Sequence, residues 1–265
     1  RPEIVVRMAT GMLYGVDREN GKEVWQYKMP HCLPVFTQDE GRVFVADYKT
    51  LVSLDRKSGR EISRQRIADS YLDALLQDKG VLFVASEDDV SAYDVETLQK
   101  QWQERIPDNL ELAKSGENLF ACGYRGLFAL DPKTGKVKWD NHDRIYHLAG
   151  GANNEGSVYT ADCWRREIRK FDKDGQQVCE NRDDIPVAVM KANNGALYVA
   201  SKFGQVSALD SKTGKQMWRS ERIGDYAFPW QIGEAQDRLE VTVTEPYYAR
   251  ESKVISLNPK TGEQF

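Results

Sequence analysis

At 265 residues, with 40% hydrophobic and 29% charged side chains, the chain has the make-up of a globular protein with a solvated surface, which excludes an intrinsically disordered one. A formal net charge of −4 and a pI near 5.6 exclude a protein built to grip phosphate backbones, so no nucleic-acid partner is expected. No apolar run approaches the roughly 20 residues that a helix needs to cross a bilayer, so no membrane span is expected, and the opening "RPEIVVRMAT" lacks the charged leader and apolar core of a signal peptide.

Taken in chain order, one turn recurs. It is "YGVDRENGKEVW" at 14–25, "VSLDRKSGREIS" at 52–63, "SAYDVETLQKQW" at 91–102 and "FALDPKTGKVKW" at 128–139. A shortened "RKFDKDGQQVC" follows at 169–179, then "SALDSKTGKQMW" at 207–218 and "VISLNPKTGEQF" at 254–265. Anchored on Asp17, Asp55, Asp94, Asp131, Asp172, Asp210 and Asn258, the spacings are 38, 39, 37, 41, 38 and 48 residues, so residues 1–265 read as a single array. The Asp accepts backbone N–H groups two residues on, and the Gly takes a left-handed conformation, so each copy predicts a β-hairpin corner. About a dozen residues before each corner stands a short apolar run: "IVVRM", "VFVAD", "LFVAS", "LFACG", "VYTAD", "LYVAS" and "LEVTV". These runs are rich in β-branched and aromatic residues and predict strands buried on both faces. Their fourth place is small in Ala46, Ala85, Cys122, Ala161 and Ala200, so Cys122 reads as a substitute for alanine and not as a reactive thiol.

Eight residues after the Asp comes Trp25, Trp102, Trp139 or Trp218, a repeated packing anchor; Ser63 and Cys179 take its place in two copies, and those junctions are expected to be weaker. A fourth segment ("LPVF", "DALL", "ELA", "HLAG", "PVAVM", "WQIG") precedes each apolar run, which makes four strands per repeat. The expected fold is therefore all-β: a β-propeller of seven four-stranded blades, or eight if flanking residues are missing. The first copy lacks its innermost strand and the last ends before its Trp, which leaves room for the chain to be part of a longer polypeptide or a larger complex.

The pattern "LYVAS…G.V.ALD..TGK..W" resembles the PQQ-like repeat of quinoprotein dehydrogenases and of the bacterial BAM-complex lipoprotein, over nearly the whole chain. That resemblance implies the propeller fold but no single function, because its members include enzymes, scaffolds and sensor domains. Many of the enzymes carry adjacent cysteines over the quinone. Here Cys32, Cys122, Cys163 and Cys179 are far apart, and no carboxylate cluster to hold calcium is evident. No cofactor is expected. Sparse cysteines without a CxxC pair lean towards reduced thiols, and the compartment, cytoplasmic or periplasmic, stays open.

In a propeller, the turns between second and third strands and the connectors from one blade to the next emerge on a common face. That face is expected to carry Tyr48, Tyr71, Tyr124, Arg125, Tyr146, His147, Trp164, Arg165, Phe203, Tyr226, Trp230, Tyr247 and Tyr248, the composition of a protein-binding surface. His31, His142 and His147 also fall there without a fourth ligand in any recognisable spacing, and no metal is expected. The basic run "WRREIRK" at 164–170 is read as a hairpin with its cations in water. The expected function is a non-catalytic binding, scaffold or sensor module for a protein or peptide partner, with a PQQ- and calcium-dependent dehydrogenase as the alternative.

Overall fold

The computed structural model describes residues 4–9, 12–17, 20–28, 35–67, 71–106, 109–143, 145–150, 155–162, 165–182, 185–223, 228–235, 237–244 and 252–265. Every regular element among them is a β-strand, and no helix is long and apolar enough to cross a membrane. The chain divides into two compact units, Arg1–Leu112 and Ala113–Phe265. The first holds three sheets: β1 (Ile4–Ala9), β2 (Met12–Asp17) and β3 (Glu23–Lys28); β4 (Val35–Gln38), β5 (Arg42–Asp47), β6 (Thr50–Asp55) and β7 (Glu61–Arg66); β8 (Leu72–Asp78), β9 (Val81–Ser86), β10 (Val90–Asp94) and β11 (Lys100–Glu104). A fourth sheet, β12 (Asn109–Ser115), β13 (Asn118–Gly123), β14 (Gly126–Leu130) and β15 (Val137–Asn141), begins at the division. The fifth is β16 (His147–Gly150), β17 (Val158–Asp162), β18 (Glu167–Phe171) and β19 (Gln177–Asn181), and the sixth β20 (Val187–Asn193), β21 (Ala196–Ser201), β22 (Val206–Asp210) and β23 (Gln216–Arg219). The seventh is β24 (Phe228–Ala235), β25 (Arg238–Thr244) and β26 (Ser252–Leu257).

These antiparallel meanders are the blades of a β-propeller, as the repeat predicts. The expectation of seven four-stranded blades needs correction. Among the described residues five sheets have four strands, while the first and seventh have three. The first copy starts at its second strand, and in the seventh a single bridge, Leu257 to Gln264, stands where a fourth strand would pair.

Each apolar cluster lies between consecutive sheets. Leu13 and Trp25 meet Val43, Val45 and Leu54; Tyr159 and Ile168 meet Val187, Leu197 and Leu209. Blades therefore bury both faces, which is why the central strands read as unbroken apolar runs. Within each unit the repeated Trp bolts one sheet to the next. Trp25 Nε1 donates to the carbonyl of Arg56, Trp139 Nε1 to Lys173 and Trp218 Nε1 to Pro259, each at 2.9 Å and each to the residue following the anchoring Asp or Asn. The ring lies on the corner glycine of the neighbour. A Cβ at Gly59 would stand 2.5 Å from the Trp25 ring, and Gly59 has φ of +68°, so no other residue fits there.

Where the Trp is missing, other side chains take over its bond. Opposite Ser63, Arg42 Nη1 donates to the carbonyl of Val95 at 2.9 Å, and Leu98 replaces the corner glycine with a buried side chain. Opposite Cys179, the Ser211 carbonyl accepts from Tyr159 OH and from Lys170 Nζ, the latter at 3.1 Å. Lys170 is cross-strand from Cys179, the place held by Gly15, Ala129 or Ala208 opposite a Trp. A small residue paired with a large one has been exchanged for a long one paired with a small one, at roughly constant volume. This overturns the solvated reading of "WRREIRK". Arg165 and Arg166 are exposed, but Arg169 and Lys170 are only 6% and 7% exposed, because their run forms the third strand of a blade and not a surface hairpin.

Candidate functional site

Antiparallel meanders bring the β5–β6, β9–β10, β13–β14 and β21–β22 turns to the same end of their sheets as the connectors that leave the fourth strands. Backbone hydrogen bonds tie the two sets together. Ile67 N–H donates to Lys49 O and Leu72 N–H to Tyr48 O, both at 3.0 Å; Ile145 N–H donates to Gly123 O at 3.4 Å and Ile223 N–H to Gly204 O at 2.8 Å. The β5–β6, β13–β14 and β21–β22 turns are thus shelves for the connectors that follow them.

On two of these shelves stands the same aromatic pair. Tyr48 from the turn meets Tyr71 from the connector edge-on, with ring centroids 4.3 Å apart and planes at 82°. In the second unit Tyr124 and Tyr146 repeat this at 5.6 Å and 79°. Tyr71 is 57% and Tyr124 52% exposed, so each pair leaves a ring face open to solvent. Phe203, on the β21–β22 turn, is 59% exposed. Tyr48 holds its place with φ of +59°, a left-handed conformation in which a bulky side chain is a rare outlier.

Of the other expected face residues, Arg125 and Arg165 are exposed, Arg165 N–H donating to Asp162 Oδ1 at 3.0 Å. His147 lies half-buried on β16 opposite Ala161, and is part of a strand and not of a loop. Trp230 occupies β24, at a β-bulge between Pro229 and Gln231. Trp164, Tyr226, Tyr247, Tyr248 and His31 lie outside the described residues, as does the side chain of Trp230.

One residue here was not foreseen. Asp73 is the extra residue of a bulge in β8, between Leu72 and Ala74, at the register that Ala188 and Trp230 occupy in their own sheets. Burial, and then the charge of Glu87, push its carboxyl up to about 6. A bulge re-aims one side chain at a strand end, and "LDALL" carries no local mark of it; comparing strand lengths across the repeats is the only signal that could have found it. A second unforeseen feature is the ion network of the fifth sheet. The Arg169 guanidinium donates to Asp143 Oδ2, and Glu167 Oε1 lies 3.1 Å from Arg182 Nη2. Among the described residues no three His, Cys, Asp or Glu side chains gather as metal ligands would. The sequence has no adjacent cysteines either, so the described residues offer no evident seat for a calcium-bound quinone.

The fold and its corner motif define a class, the PQQ-like-repeat β-propellers. Within it, a family model described as outer membrane protein assembly factor BamB matches residues 9–144 and again 129–265, and the chain belongs to that family. It is 22% identical over 255 residues to the outer membrane protein assembly factor BamB of Burkholderia pseudomallei, a match that covers 88% of this chain and 67% of the relative. To the protein of the same name from Nitrosomonas eutropha it is 23% identical over 158 residues, 54% of this chain and 38% of the relative. Among solved structures, the computationally designed Ika8 protein superposes with a TM-score of 0.79 at 15% identity, covering all of this chain and 83% of that one. BamB from Moraxella catarrhalis does so with a TM-score of 0.65 at 17% identity, covering 99% and 86%. At those identities the structures speak for the fold alone.

Proposed function

We propose that this chain is a non-catalytic scaffold that docks a protein or peptide partner at the turn-and-connector ends of its sheets, within the outer membrane protein assembly for which its relatives are named. The observation that carries this reading is the pair of tyrosines built twice in the same way and left open to solvent. Exposed aromatic rings on such shelves supply large apolar contact at small entropic cost, which suits hot spots. A left-handed Tyr48 costs on the order of 1–2 kcal/mol, and strain of that kind persists where a side chain is needed for a task. Within the second unit, Arg125, Arg165 and Phe203 join Tyr124 and Tyr146 in this proposal.

The test replaces Tyr71, Tyr124 and Phe203 together with Ala. Because these side chains are more than half exposed, thermal stability should change by no more than about 1 kcal/mol. Co-purification of outer membrane assembly proteins, identified by mass spectrometry, should fall about tenfold or more. Lost stability with unchanged co-purification would assign these rings to structure and not to docking.

A further inference from the structure

The first unit contains a cleft of about 330 Å³ bounded by Ile67 on the connector after β7, by Leu72 at the start of β8, and by Val84, Tyr93 and Gln103 of the third sheet. We propose that it seats one arginine side chain presented by the docked partner, its stem on the apolar lining residues and its guanidinium at Asp88. The proposal rests on the docking function above and names the chemistry of what docks.

The cleft opens beside the Tyr48–Tyr71 pair, since Leu72, which lines it, follows Tyr71 and donates its N–H to Tyr48 O. Its volume lies at the small end of the range for ligand pockets and suits one long side chain better than a folded element. Its lining combines apolar and aromatic residues, Ile67, Leu72, Val84 and Tyr93, with charged ones, Asp88, Asp89 and Lys100.

Of these, Lys100 is already engaged. Its Nζ donates to Gln103 Oε1 at 2.7 Å and lies 5.9 Å from the centre of the Tyr93 ring. Gln103 Nε2 in turn donates to Asp89 Oδ2 at 2.7 Å, and Ser91 Oγ to Asp89 Oδ1 at 2.9 Å. Both Asp89 oxygens are therefore satisfied by neutral donors, which hold the carboxylate in place without cancelling its charge. Asp88 is exposed and has no hydrogen-bond or ion-pair partner among the described residues. Exposed Glu87 adjoins it, and its charge is the lesser cause, after burial, of the raised carboxyl of Asp73. An occupant must thus combine an apolar stem with a cationic head. Arginine fits better than lysine, because a planar guanidinium loses less hydration on burial and meets a carboxylate with two donors.

The probe is N-acetyl-arginine amide, titrated into isotope-labelled protein and followed by amide chemical shifts, with N-acetyl-citrulline amide as the uncharged isostere. Saturating shifts are expected at Val84, Ser86, Ser91 and Tyr93, with citrulline binding roughly fivefold or more weakly. Asp88→Asn should weaken arginine about three- to tenfold, and added salt should weaken it further. Equal binding of citrulline, shifts scattered away from the cleft, or indifference to both Asp88→Asn and salt would overturn the proposal. If arginine fails while the triple aromatic variant still loses its partners, docking stands and the arginine seat falls. If arginine binds the cleft but that variant keeps its partners, docking at these ends is itself refuted, and with it the partner role of the cleft.

Discussion

Tyr48 shows what single residues contribute. Replacing it with Gly relieves the left-handed backbone, worth about 1–2 kcal/mol, and removes an edge-on ring contact worth about 0.5–1.5 kcal/mol. The two effects nearly cancel, so Tyr48→Gly should leave the melting temperature close to the parent's while weakening partner capture; a large fall in melting temperature would contradict the strain argument. Asp73 makes a pH-dependent prediction. Its carboxyl titrates higher folded than unfolded, so between about pH 4 and 6 the folded state holds the extra proton and stability falls as pH rises. The residue is half-exposed, and after allowing for solvent screening the effect is on the order of 1 kcal/mol. Asp73→Asn should flatten that slope in denaturant melts. The corner carboxylates act in the opposite sense. The hydroxyls of Ser58 and Thr213, with the backbone N–H groups beside them, hold Asp55 and Asp210 below the usual carboxylate value, so their contribution is lost as pH falls through the acid range.

At the scale of strands and junctions, the Trp bolts predict the largest losses. Trp25→Ala and Trp218→Ala each remove a buried ring and its hydrogen bond and should cost about 3–5 kcal/mol in equilibrium unfolding. The exchanged junction makes a sharper prediction. Cys179→Trp alone should destabilise, because Lys170 fills the space a Trp needs, whereas Cys179→Trp with Lys170→Ala rebuilds the common arrangement and should recover most of the loss; additive losses would show that the two positions are not one packing unit. These elements also mark the limit of reading sequence. The Asp, Gly and Trp of each corner are short-range requirements of one turn and its neighbour, and they made the blades legible. Opposite Ser63 the expectation of a weak junction missed Arg42, which arrives from 21 residues earlier in the chain. The buried Arg169 and Lys170 were misread because a charge run says nothing of its partners, Asp143 and Glu155, which come from other segments. At the turn-and-connector ends, the aromatic positions followed from where a propeller places its turns and connectors, but their edge-on pairing and the bulge at Asp73 depend on which turn meets which connector.

For the whole molecule, repetition separates two tasks. Corners, bolts and small cross-strand residues recur in most copies because every blade must pack on the next, while the exposed Tyr71, Tyr124 and Phe203 lie at the turn-and-connector end of the sheets in each unit, where variation costs the fold little. The opposite end carries the tight Asp–Gly corners, whose side chains are consumed by their own turns: Asp131 Oδ1 accepts from the N–H groups of Lys133 and Thr134, and Asp210 Oδ1 from those of Lys212 and Thr213. Docking should therefore be confined to the turn-and-connector end of the sheets in each unit. Placing a photo-crosslinking amino acid in living cells at Tyr71, Tyr124 and Phe203, and in parallel at Lys57, Lys133 and Lys212 on the corners, compares the two ends directly. Adducts to outer membrane assembly proteins from the first three positions and none from the corners are predicted, and adducts from the corners alone, or equally from both ends, would contradict the account.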